Sequence, residues 1–242
     1  MAADVRVFAD ADELGEKLAE EILAAYAKAG DQPFLLGCPG GRSLRSTYRA
    51  LARRRPDLSR LVVVMMDEYV VNDAAPPAEA HYSCRRFATE ELMRPLGLSE
   101  AQVWLPDPGD PAAYDRQIAA EGGVDLFLLA SGASDGHVAF VPPGSPRGGR
   151  TAVVTLAETT RRDNVATFPE FASVDEVPRH GVSVGLATIA DAHSVRLVLH
   201  GRDKRDAAGR LLALDRFDTP WPASIVHDCN DGEIWLDREA HP

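Results

Sequence analysis

The run LVVVMM at 61–66 has no polar side chain on either face of an extended strand. Such a strand must lie between two covering layers. Short runs PFLLG at 33–37 and VDLFLLA at 124–130, the latter apolar apart from Asp125, also read as buried strands. Helical patterns fall between them. Leu14, Leu18, Ile22 and Tyr26 recur every four residues, which puts one apolar stripe on a helix, and Asp10 with Glu13 forms its capping box. Residues 43–54, 111–123 and 203–214 read as further helices. Residues 5–8, 151–156, 182–185, 195–199 and 233–236 read as further strands. This alternation predicts an α/β fold: three layers, with a mainly parallel sheet and helices on both faces. The 242 residues, 45% of them hydrophobic, suffice for one core, so a single domain over 1–242 is expected.

Composition narrows the function. A formal net charge of −11 argues against a nucleic-acid partner, which needs clustered Lys and Arg. It leaves room for a small anionic ligand, which needs only a local pocket. No run of about 18 apolar residues predicts a membrane span. The acidic opening MAADVRVFADADEL lacks the apolar stretch of a secretion signal, so a cytoplasmic location is expected. Cys38, Cys84 and Cys229 are odd in number and widely spaced, which fits free thiols better than disulfides or zinc.

In open α/β sheets, ligands bind beyond the carboxyl ends of the strands. Three segments stand there. GCPGGRS at 37–43 is a glycine-rich strand-to-helix turn, suited to an anion: the backbone of Gly40, Gly41 and Arg42 offers N–H groups, Arg42 a charge, and Ser43 both a hydroxyl and a helix cap. It is neither a Walker A loop nor a GxGxxG, so a nucleotide cofactor gets no support. MDEY at 66–69 puts Asp67 and Glu68 at the end of an apolar strand, where alternation points them to opposite sides. ASGASDGHVAF at 130–140 sets Asp135 and His137 around one glycine, a pair that can fix an imidazole tautomer for proton transfer. No third ligand at matching spacing suggests a metal.

LGCPGGRSLRSTYRAL, MMDEYV and SDGHVAF resemble, in order and spacing, motifs of the glucosamine-6-phosphate deaminase family. VPRHGVSVGLATIADA, GRDKRDA and WPASIVHDC extend the similarity over nearly the whole chain. The resemblance implies the sheet fold shared with ribose-5-phosphate isomerase and 6-phosphogluconolactonase. It implies a sugar-phosphate substrate, no cofactor, and Asp67 moving a proton at the substrate C2. His137, oriented by Asp135, would assist ring opening. The Gly40–Gly41–Arg42 backbone, the Ser43 hydroxyl and the Lys204 ammonium would hold the phosphate. A homo-oligomer is compatible with it.

The chain departs from the family at two places. Val141 and Pro142 stand where deaminases carry an Asn-Glu pair, and Ala166 stands where they carry a phosphate arginine, with Arg161 and Arg162 nearby; either the phosphate grip is rebuilt or the substrate is a different sugar acid or sugar phosphate. Slow or absent deamination of glucosamine 6-phosphate itself is the expectation from Pro142. DGHVAFVPPGSP also resembles the lactonase motif, so a 6-phosphogluconolactonase-like hydrolase is the second reading, and a non-catalytic sugar-phosphate sensor the third.

Overall fold

The computed structural model describes residues 2–242. Seven strands form the main sheet, in the order β1-β10-β9-β6-β2-β3-β5. They are β1 (Asp4–Phe8), β2 (Phe34–Cys38), β3 (Leu61–Met65), β5 (Val103–Trp104), β6 (Leu126–Ala130), β9 (Ser194–Leu199) and β10 (Gly232–Asp237). Every pairing among them is parallel. Side chains alternate between two cores. Phe34, Leu36, Leu126 and Leu128 pack on one face with α1 (Ala11–Lys28) and α2 (Arg45–Arg54). Leu35, Phe127 and Leu129 pack on the other with α5 (Pro111–Ala120), α7 (Leu186–Ala190) and α8 (Arg205–Leu212). The three-layer expectation holds. Asp10 caps α1 as expected, accepting from the N–H groups of Asp12 and Glu13, while the Glu13 carboxylate reaches back to Ala9 N at 2.6 Å rather than to Asp10.

Two of the expected strands do not join the main sheet. β7 (Ala152–Thr155) and β8 (His180–Ser183) pair antiparallel in a separate three-stranded sheet with β4 (Asp67–Val70), in the order β4-β8-β7. The switch occurs at Met66, whose N–H still bonds Cys38 O in the main sheet while its carbonyl accepts from Val184 N in the small one. β7 is mostly exposed, so it lacks the two covered faces that a central parallel strand requires. Residues 84–96 were not expected to be helical. They form α3 (Cys84–Ala88), a π-turn at Thr89–Met93 and α4 (Arg94–Leu96). The remaining helix, α6 (Glu158–Thr167), follows β7.

The strand order reverses between β2 and β6. From there β3 and β5 run to one edge, and β9, β10 and β1 run to the other. A crevice opens beyond the carboxyl ends at such a reversal. Among the described residues, no helix is long and apolar enough to cross a membrane.

Candidate active site

A cavity of about 630 Å³ occupies that crevice. Its floor comes from the segments after β2, β3, β6 and β9, and α6 forms one wall. Gly40, Gly41, Arg42, Ser43, Asp67, His137 and Lys204 all line it. The three sequence segments therefore converge on one space, with Asp135 directly behind His137.

The glycine turn is held from below. Tyr48 on α2 donates its hydroxyl to Pro39 O at 3.1 Å. Gly41 adopts φ +100, a conformation that side-chain-bearing residues rarely take, and this lets the turn present its backbone to the cavity. Ser43 does not cap α2. That helix starts at Arg45 with Leu44 at the cap position and no side-chain cap bond, and the Ser43 carbonyl instead meets His200 Nε2 at 3.1 Å. Lys204 reaches in from the turn before α8 and donates to Ser131 O at 2.8 Å. Burial lowers its pKa, and Asp163 is the acid that most strongly opposes the shift, ahead of Asp203.

Asp67 and Glu68 do point apart. The Glu68 carboxylate accepts from Ser83 Oγ at 3.0 Å and from the N–H groups of Cys84 and Arg85 at 2.9 and 3.0 Å, so it caps α3. Asp67 faces the cavity, where the Cys84 thiol donates to its Oδ1 at 3.3 Å. Burial raises the Asp67 pKa to about 7, with Glu68 adding to the rise while Cys84 and His137 oppose it. A carboxylate so tuned is a much stronger base at neutral pH than an ordinary aspartate.

His137 Nδ1 lies 2.7 Å from Asp135 Oδ1, which also accepts the His137 backbone N–H at 3.0 Å. Thr160 Oγ1 stands 3.1 Å from the same ring nitrogen, and Thr159 donates to the other Asp135 oxygen. With Nδ1 engaged, Nε2 is the nitrogen left to meet a ligand. Burial works against the charged Asp135, but the bonds from His137 and Thr159 outweigh it and hold the carboxyl well below the usual range. Gly136 between the pair adopts φ +65, and a Cβ there would lie 2.2 Å from the Trp221 ring. The indole thereby fixes the turn that carries both residues.

The structure does not rebuild the phosphate grip from Arg161 and Arg162. The Arg161 guanidinium is buried on the carbonyls of Val174 and Val177, and Arg162 pairs with Glu158 at the surface. Ala166 lines the cavity and Pro142 does not. Sequence reading missed Cys84 and the α6 residues Thr160, Asp163 and Asn164. The polar spacing along 160–167 was the signal that could have found the latter three.

The motifs and the fold agree with known proteins. The family model for glucosamine-6-phosphate isomerases/6-phosphogluconolactonase matches residues 9–235. A glucosamine-6-phosphate deaminase of Beutenbergia cavernae is 35% identical over 233 residues, 92% of this chain and 86% of that one. One from Shouchella clausii is 32% identical over 215 residues, covering 85% and 83%. A solved monomeric glucosamine-6-phosphate deaminase superposes with a TM-score of 0.86 at 27% identity, over 98% of both chains. The 6-phosphogluconolactonase from Trypanosoma cruzi, at 19% identity, shares the fold with a TM-score of 0.75 over 99% of this chain and 97% of that one. With the family model spanning most of its length, the chain belongs to the glucosamine-6-phosphate isomerase/6-phosphogluconolactonase family.

Proposed function

We propose that the chain, working as one unit, is an isomerase/deaminase of the glucosamine-6-phosphate deaminase type, acting by proton transfer on a phosphorylated amino sugar. One observation carries the reading. Asp67 has a pKa of about 7 and shares a cavity with the Asp135–His137 pair and a glycine-rich anion turn. In this account the Gly40–Ser43 turn and Lys204 hold the phosphate. His137, held by Asp135, moves a proton between the ring oxygen and the anomeric hydroxyl as the sugar opens. Asp67 then takes the proton from C2 of the open-chain amino aldehyde, and the electron pair forms the enolamine as the C1 oxygen takes up a proton. Returning the C2 proton to C1, as the nitrogen gives up one of its own, gives the ketose imine. Water adds to the imine carbon, ammonia leaves, and a ketose phosphate remains. The relatives' names support an amino-sugar phosphate as substrate.

Pro142 favours a second reading. A proline there supplies no acid, and lactone hydrolysis needs only a base to activate water, a task His137 could perform. The deciding experiment is a panel of amino-sugar 6-phosphates, glucosamine 6-phosphate first, together with 6-phosphogluconolactone. Ketose phosphate and ammonia in equal amounts support the proposal. Lactone loss without either supports the hydrolase.

A further inference from the structure

α6 connects the two chemical ends of the cavity. At its first turn, Thr160 Oγ1 lies 3.1 Å from His137 Nδ1. At its last, the Thr167 methyl would lie 3.8 Å from a Cβ placed on Gly41 in the anion turn. Seven residues of helix rise about 10 Å, so this face runs from the proton-transfer end to the anion end. Asp163 and Asn164 fall at i+3 and i+4 from Thr160 and share its face. Both line the cavity. Asp163 Oδ2 and Asn164 Nδ2 are buried, and neither has a hydrogen-bond partner in the protein. The Tyr69 hydroxyl, buried beside the Asn164 side chain, likewise makes no hydrogen bond of normal geometry.

Leaving a buried acceptor and a buried donor unmade costs free energy, and the cost is recovered when a ligand pairs with them. The carboxylate also sits where it tempers Lys204, an awkward neighbour for a phosphate. A ligand hydroxyl at this point supplies the donor that Asp163 lacks. We propose that Asp163 and Asn164 determine which sugar the site accepts. Asp163 Oδ2 accepts a hydrogen bond from one hydroxyl between the reacting end and the phosphate, and Asn164 Nδ2 donates to a neighbouring hydroxyl. The inference rests on the sugar-phosphate reading above. It adds the substrate feature being read: the hydroxyls of the middle carbons.

The test is equilibrium binding, because it does not depend on turnover. Glucitol 6-phosphate is open-chain and cannot react. Its affinity and those of its 3-, 4- and 5-deoxy forms are measured by calorimetry on wild type, Asp163→Ala, the isosteric Asp163→Asn, and Asn164→Ala. Losing a hydrogen bond to a charged group weakens the parent ligand roughly 10- to 100-fold in Asp163→Ala. One deoxy form, lacking the hydroxyl that Asp163 reads, is expected to change less than about threefold in the same variant. Asn164→Ala shows the same pattern for a neighbouring position, with a smaller loss. Asp163→Asn keeps the shape of the side chain and an acceptor oxygen but not the charge, so a smaller loss confined to the same hydroxyl rules out misfolding as its source. Equal losses for all four ligands, or no loss for any, overturn this inference alone. Failure of the wild type to bind any of them overturns the sugar-phosphate reading and this inference with it.

Discussion

The Cys84 thiol donates to Asp67, Sγ to Oδ1 at 3.3 Å, with both side chains buried at the cavity wall. Burial and the neighbouring carboxylates push the Cys84 pKa well above its usual value, so the sulfur keeps its proton and remains a donor. A donor stabilises the ionised carboxylate and lowers its pKa. Asp67 must be ionised to act as a base, so kcat/KM should fall as pH drops below about 7. Cys84→Ala removes the donor, and the acid limb should move up by about one unit. Cys84→Ser retains a donor and should not move it up. A pH profile of the three proteins decides; a limb unmoved in Cys84→Ala would remove the thiol from the tuning of Asp67.

The same burial makes Asp67 a cost to the fold. Its folded pKa, about 7, lies above the ordinary aspartate value. The native state therefore holds the proton more tightly than the unfolded chain does. The associated stability is fully present below the unfolded pKa and is lost as pH rises through the folded one. Asp67→Asn removes this dependence. Urea unfolding at pH 5 and pH 8 should show the variant gaining on wild type by on the order of 2 kcal/mol across the interval. A constant difference at the two pH values would mean that Asp67 is not strained.

General acid–base groups contribute about 10²- to 10⁴-fold. His137→Gln should lose at least that much in any productive assay. Asp67→Asn should match it for ketose or ammonia formation and cost clearly less for lactone hydrolysis. Steady-state kinetics on both substrate classes separate the roles.

Gly136→Ala tests whether the indole fixes the catalytic turn. The added methyl would meet both a positive φ and the Trp221 ring. A loss of about 1–3 kcal/mol in stability is expected, with a fall in activity beyond what the unfolded fraction explains. Thermal unfolding and specific activity of the folded fraction check it.

Apolar strands and the motifs at their ends were legible because each is a local pattern with a local cause. LVVVMM must be covered on both faces wherever it lies, and Asp67 follows it directly. The small antiparallel sheet was not legible. Its existence depends on the change of sheet at Met66, a tertiary event that joins segments more than a hundred residues apart. The roles of Asp67 and Glu68 divided as strand alternation requires, but the partners of Glu68 lie at the start of α3, whose cap Ser83 and apolar Phe87 and Ala88, with Leu92 in the π-turn that follows, carry a helical pattern outside the sequence reading. Arg161 and Arg162 show the opposite failure. Their proximity in sequence to Ala166 suggested a rebuilt phosphate grip, yet helix geometry turns them away from the cavity.

In the proposed chemistry Asp67 moves a proton between two substrate carbons. Nuclear magnetic resonance of amino-sugar 6-phosphates in deuterated water follows that proton directly. With wild-type protein, deuterium should appear at C1 of a ketose phosphate or exchange at C2 of the aldose, and Asp67→Asn should abolish both. Hydrolysis of 6-phosphogluconolactone, with no carbon-bound exchange in any sugar phosphate tested, would contradict it.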